Sequence, residues 1–162
     1  MKRVLLILGS LAALSGASAW ATFDAAAAVG ASGSSFAVGG FQGPLAGGAN
    51  QNIAFSAHNS GDGHVVGRLS ETLTSPGEDL STLRGKVDCL VVSGSRAAVG
   101  YVVLESSGVL ALSMPVGSRQ ILLVQDSDQG DTFAFGFFPD CAAAISIEPI
   151  FRIAGGNIIV SS

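Results

Sequence analysis

The stretch Val87–Ser106, VDCLVVSGSRAAVGYVVLES, decides how this chain folds. Two runs rich in valine flank the turn SGSR. Before the turn, Cys89 and Val91 alternate with Leu90 and Val92; after it, Val99, Tyr101 and Val103 alternate with Val102 and Leu104. Both sets are apolar. That pattern predicts a hairpin of central strands, covered on both faces at least in part. Cys89 has no partner nearby, so the hairpin is built either for chemistry or for a covalent tie to a distant segment.

The same period of two runs outward in both directions. In QNIAFSAH, Ile53, Phe55 and Ala57 share one face while Ala54, Ser56 and His58 share the other. NSGDG follows, and HVVGRLSETL returns with Val65, Gly67 and Leu69 alternating against Val66, Arg68 and Ser70. Two alternating runs joined by a short Gly-containing loop predict a hairpin. Pro76-Gly77 marks a break. Beyond the central hairpin, VLALSM is a short apolar run ending at Pro115, RQILLVQD predicts a strand, and DSDQGD predicts a turn. TFAFGFF sets Phe133, Phe135 and Phe137 on one side, a face that buries apolar area worth about 25 cal/mol per Å². CAAAISIEPIF opens on Cys141, and GNIIV closes the chain as a final strand. After the first residues no span keeps a helical period for a full helix. The expectation is one all-β antiparallel domain, residues 36–162, of about eight or nine strands, folded as a sandwich or a closed barrel.

The N-terminus has a different character. Met1-Lys2-Arg3 is basic, Val4–Ser15 is apolar, and Ala17-Ser18-Ala19 and Ala19-Trp20-Ala21 are overlapping A-x-A sites. Together these predict a secretory signal peptide over 1–21, cleaved after Ala19 or Ala21. Residues 22–35, TFDAAAAVGASGSS, hold little to bury and predict a flexible leader. The apolar run is too short to span a bilayer, and no later segment is long enough to do so. Loss of Lys2 and Arg3 leaves six basic residues against twelve acidic ones, a net charge of −6. The remaining cations are scattered, which excludes the clustered Lys and Arg that a nucleic acid requires. The expected location is secreted or periplasmic, with an extracellular or envelope partner.

An exported chain with two cysteines, Cys89 and Cys141, predicts one disulfide. Two free thiols and a cysteine metal ligand are the alternatives; the second lacks any C-x-x-C spacing. The closed loop of about 53 residues is worth about 4 kcal/mol in the chain-entropy model.

The fragments FSAH, GKVDCLVVSGSRAAVG, PVGSRQILLVQDSDQGD and GNIIV together resemble a group of small exported bacterial proteins. That group carries a C-L-x-V-x-G-x-x-A-x-x-G hairpin, an acidic D-x-x-x-G turn and a closing G-N-I-x-V strand. The resemblance covers most of residues 50–160. It implies a secreted β-domain and supplies no catalytic residue.

Chemistry-bearing residues are few. His58 and His64 bracket NSGDG, and with Asp62 they have the imidazole and carboxylate types that bind zinc. Asp126, Asp128 and Asp131 lie within six residues, DSDQGD. D-x-D openings suit Ca²⁺, yet the EF-hand spacing is missing: Gly130 falls at the fifth place and Phe137 at the twelfth. The plain reading of both segments is a solvated polar turn. No G-x-S-x-G elbow is present, so a serine hydrolase would need a triad assembled from distant positions. Glu71, Glu78, Asp79, Glu105 and Glu148 qualify for glycoside hydrolysis by residue type alone. Arg96 reads as a solvent-facing turn residue, and Tyr101, if buried, needs a hydroxyl partner. The expectation is therefore a secreted, non-catalytic binding, envelope or matrix-associated module without a cofactor, Ca²⁺ at the acidic turn being the one candidate. A small-molecule carrier in a β-barrel is the alternative, and a hydrolase ranks behind it.

Overall fold

In the computed structural model the alternation of Gln51–His58 becomes a strand whose odd residues are buried and whose even residues face outward. The structure describes residues 33–44 and 48–162. The segment read as a signal peptide, and residues 22–32 of the leader, lie outside the described residues. Among the described residues the strands are β1 (Ser35–Pro44), β2 (Asn50–Asn59), β3 (Val65–Thr74), β4 (Ser81–Ser93), β5 (Arg96–Ser106), β6 (Arg119–Gln125), β7 (Thr132–Gly136), β8 (Phe151–Arg152) and β9 (Gly155–Ser161). All pair antiparallel in one sheet, in the order β8-β7-β6-β5-β4-β3-β2-β1-β9. The chain meanders from β1 to β8, then crosses to the far edge, where β9 pairs with β1 from Phe36↔Ser161 to Gln42↔Gly155.

The sheet is strongly curled. β1 and β7 stand six places apart in the strand order, which in a flat sheet would separate them by about 29 Å at the usual strand spacing. Yet the rings of Phe41 (β1) and Phe133 (β7) meet with centroids 4.5 Å apart. Bulges help the bend: the β4–β5 register shifts between Arg84 and Gly85 and again between Val87 and Cys89, and each extra residue kinks the strand that carries it. At the first shift the Tyr101 ring occupies the space that a side chain on Gly85 would fill.

One buried cluster lies inside the curl. It draws Phe41, Phe55, Leu69, Val87, Val99, Tyr101, Leu122, Phe133 and Ile158, among others, so strands from β9 at one edge through to β7 contribute. The run VLALSM is helical. Helix α1 (Gly108–Ser113) sets Leu110, and Met114 just beyond its end, into this interior. Ser81 at the start of β4 anchors the helix, its Oγ accepting the Val109 N–H at 3.0 Å. A second, smaller cluster sits on the outer face of the central strands. There Ala98, Ile121 and Leu123 pack under helix α2 (Cys141–Ala144), which contributes Cys141 and Ala144. The β4–β5 hairpin is thus covered on both sides, as its two apolar faces predict.

Two expectations need correction. The architecture is neither a sandwich nor a closed barrel: one sheet curls into an open half-barrel. The reason lies in β8, a two-residue strand that pairs only Thr132↔Arg152 and Phe133↔Phe151. It is too short to carry a ladder across to β9. The aromatic face also holds two phenylalanines rather than three. β7 ends at Gly136, where the Phe138 ring occupies the space a side chain on that glycine would fill; Phe137 follows, 72% exposed.

Candidate functional site

The open seam beside β9 brings together two of the residues singled out in the sequence, Asp126 and Asp131. β9 faces β1 on one side and the turn between β6 and β7 on the other. Asp131 Oδ2 accepts the backbone N–H of Ile158 at 2.8 Å, and Asp126 Oδ2 accepts that of Val160 at 3.4 Å. Ile153 N–H donates to the Asp131 carbonyl at 3.0 Å, and Ala154 N–H to the Gln42 carbonyl at 3.2 Å. Asp131 Oδ1 closes its own turn by accepting the Ser127 N–H at 3.1 Å. Asp126 N–H donates to Ser95 at 2.9 Å, which ties the acidic turn to the tip of the central hairpin. Two carboxylates therefore take the place of a missing strand, accepting from alternate amides of β9. Asp128 stands apart, exposed at the tip of the turn.

The histidines do not converge. His58 pairs with Val66 in the β2–β3 register, two residues away from His64. It is exposed and stacks on Phe36, with ring centroids 5.8 Å apart. His64 is exposed in the loop, where Asp62 organises the turn: Oδ1 accepts the Ser60 hydroxyl at 2.6 Å and the His64 N–H at 2.9 Å. The Ser60 hydroxyl first, then the His64 backbone N–H, holds the Asp62 carboxyl below its usual range. Among the described residues no group of three or more His, Cys, Asp or Glu side chains is placed to hold a metal ion. Asp126 and Asp131 lie together without Asp128, and both point at backbone amides.

The covalent tie is Cys89–Cys141, with Cα atoms 6.2 Å apart. Arg119 braces it. Nε donates to Asp88 Oδ2 at 2.7 Å, Nη2 to Asp88 Oδ1 at 3.2 Å, and Nη1 to the Pro139 carbonyl at 3.1 Å. Nη2 also lies 2.9 Å from the Cys89 sulfur. Gly100 makes this assembly possible, since a Cβ there would collide with the Cys89 sulfur and crowd Arg119 Nη2. Asp140 caps α2 by accepting the Ala143 N–H at 2.7 Å.

One polar pair lies inside the curl and escaped the sequence reading. Glu71 is 5% exposed and accepts from Gln51 Nε2 at 2.6 Å. Burial raises its carboxyl above the usual carboxylate range, and the Gln51 hydrogen bond offsets part of that. Tyr101, fully buried, donates to Gln120 Oε1 at 2.6 Å. Its phenol is pushed far up, first by burial and then by the Glu71 carboxylate. A signal was available: Gln51 and Glu71 fall in phase with Ile53 and Leu69, on faces that are otherwise apolar. His58 and His64 are both exposed and lie outside the interior that holds this pair. The other carboxylates named by type are all exposed: Glu78, Asp79, Glu105 and Glu148. Glu105 sits 3.6 Å from Arg84 at the surface, where such pairs contribute little.

One surface depression is an open groove of ≈ 430 Å³ beside β1 and β9, with Phe41, Ile53 and Gly156 in its wall. Among the described residues no helix is long and apolar enough to cross a membrane. No family model, curated protein or solved structure matches the chain.

Proposed function

We propose that the chain is an exported, non-catalytic β-domain that works as a binding, envelope- or matrix-associated module, of the kind its hairpin and closing strand resemble. One observation carries this reading. The Phe41 and Phe133 rings meet at 4.5 Å across the inside of the curl, so side chains fill the volume a carrier would need for its cargo. The acidic turn adds support, because Asp126 and Asp131 are engaged with backbone amides rather than aimed at a shared ligand position. The disulfide suits an oxidising compartment. The mature net charge of −6 directs attention to envelope components other than nucleic acid.

The test uses the full chain, expressed with its own N-terminal segment and recovered from the periplasm or medium of a bacterial host. It is incubated with isolated peptidoglycan sacculi and outer-membrane vesicles, then with a fluorescent fatty acid and with chromogenic esters. The module reading predicts co-sedimentation with envelope material and neither uptake nor turnover. Stoichiometric uptake of the fatty acid would favour the carrier. Ester turnover lost on replacing His58 or His64 would favour the hydrolase.

A further inference from the structure

Among the described residues, β9 stands at an edge of the sheet and pairs with β1 alone. Its sequence, GGNIIVS, contains no charge and no proline, two of the devices that blunt an exposed edge. A strand edge of this kind pairs readily with another chain. What lies along it here is the acidic turn, with Asp131 on the Ile158 amide and Asp126 on the Val160 amide. These two amides are two residues apart, so both belong to the row that points off the edge.

We infer that Asp126 and Asp131 form an edge guard, holding the outward amides of β9 so that the same strand of a second copy cannot pair with them. The second copy is the relevant partner because the strand is its own best template. Antiparallel pairing about Ile158 would match residue 156 of one chain with 160 of the other, giving a closed two-fold contact. The guard works in two ways. It occupies the donors, and it would bring the carboxylates of both copies into one seam, where like charges repel. Asp128, exposed at the same turn, engages no β9 amide and takes no part.

The test compares full chains by light scattering across a wide concentration range, with hydrogen exchange at the amides of β9. Wild type and Asp128→Ala are expected to keep one mass throughout. Asp126→Ala/Asp131→Ala is expected to rise to the mass of a dimer or larger, and Ile159→Lys added to it should restore the original mass by charging the strand. If the alanine pair does not fold, the single variants Asp126→Ala and Asp131→Ala decide the matter, since each removes the acceptor and the charge from one β9 amide. Folded variants that hold the wild-type mass at every concentration would overturn the inference. So would a wild-type chain that already assembles through β9.

Discussion

Asp131 Oδ2 accepts the backbone N–H of Ile158 at 2.8 Å, joining residues 27 apart in sequence across the open seam of the sheet. The other oxygen of the same carboxylate accepts the Ser127 N–H. One side chain therefore shapes its own turn and fastens the final strand. Replacing Asp131 by Ala leaves the Ile158 amide without its acceptor, and is expected to cost about 1–3 kcal/mol. Asp128→Ala, at an exposed and unengaged position, should stay within about 0.5 kcal/mol of wild type. Urea denaturation of the two variants checks the contrast.

The same geometry predicts the response to calcium. A Ca²⁺ ion needs six to eight oxygens, and here both oxygens of Asp131 already accept from the backbone. Millimolar Ca²⁺ is expected to leave the melting temperature unchanged. A rise that disappears in Asp126→Ala would show that the turn rearranges to bind the ion.

Glu71 makes stability depend on pH in a direction opposite to that of most carboxylates. Its folded pKa is raised by burial, so the folded state holds a proton that the unfolded chain gives up. Above the unfolded value the native state binds more protons, and the slope of stability with pH is negative. The contribution is complete below pH 4.5 and is lost as pH rises through the higher folded value. Glu71→Gln keeps an acceptor for Gln51 and removes the titration. Melting curves from pH 4 to pH 8 should show the variant gaining on wild type as pH increases; parallel curves would contradict the assignment.

Gly100 supports the outer layer by having no side chain beside the Cys89 sulfur and Arg119. Gly100→Ala is expected to destabilise by about 1–3 kcal/mol through overpacking. It should also make the disulfide easier to reduce, which a dithiothreitol titration reads directly.

Much of this architecture was legible in the sequence because a strand declares itself locally. The alternation in Gln51–His58 and Val65–Ser70 survives as buried and exposed faces, and the doubly apolar runs around Ser93–Arg96 are the strands with clusters on both sides. Two cysteines in the chain left one internal pairing to expect. The helices were harder. Each is a single short turn or two, and VLALSM has too few residues for a period of two to be told from one of 3.6. Asp140 ahead of Cys141 is a readable N-cap. The role of the acidic turn could not be read at all. Asp126 and Val160 are 34 residues apart, and nothing local distinguishes a carboxylate that caps an edge strand from one that faces water. The unclosed seam follows from the brevity of β8, which alternation over two residues cannot announce.

The central claim is that one curled sheet carries a covalently fastened outer layer, with α2 tied to the central hairpin by Cys89–Cys141. Peptide mapping of the full chain under non-reducing conditions tests it most directly. The account predicts a linked pair of peptides containing Cys89 and Cys141, no thiol open to alkylation, and a loss of about 4 kcal/mol on reduction. Two alkylated cysteines, or a disulfide from either residue to another chain, would contradict it.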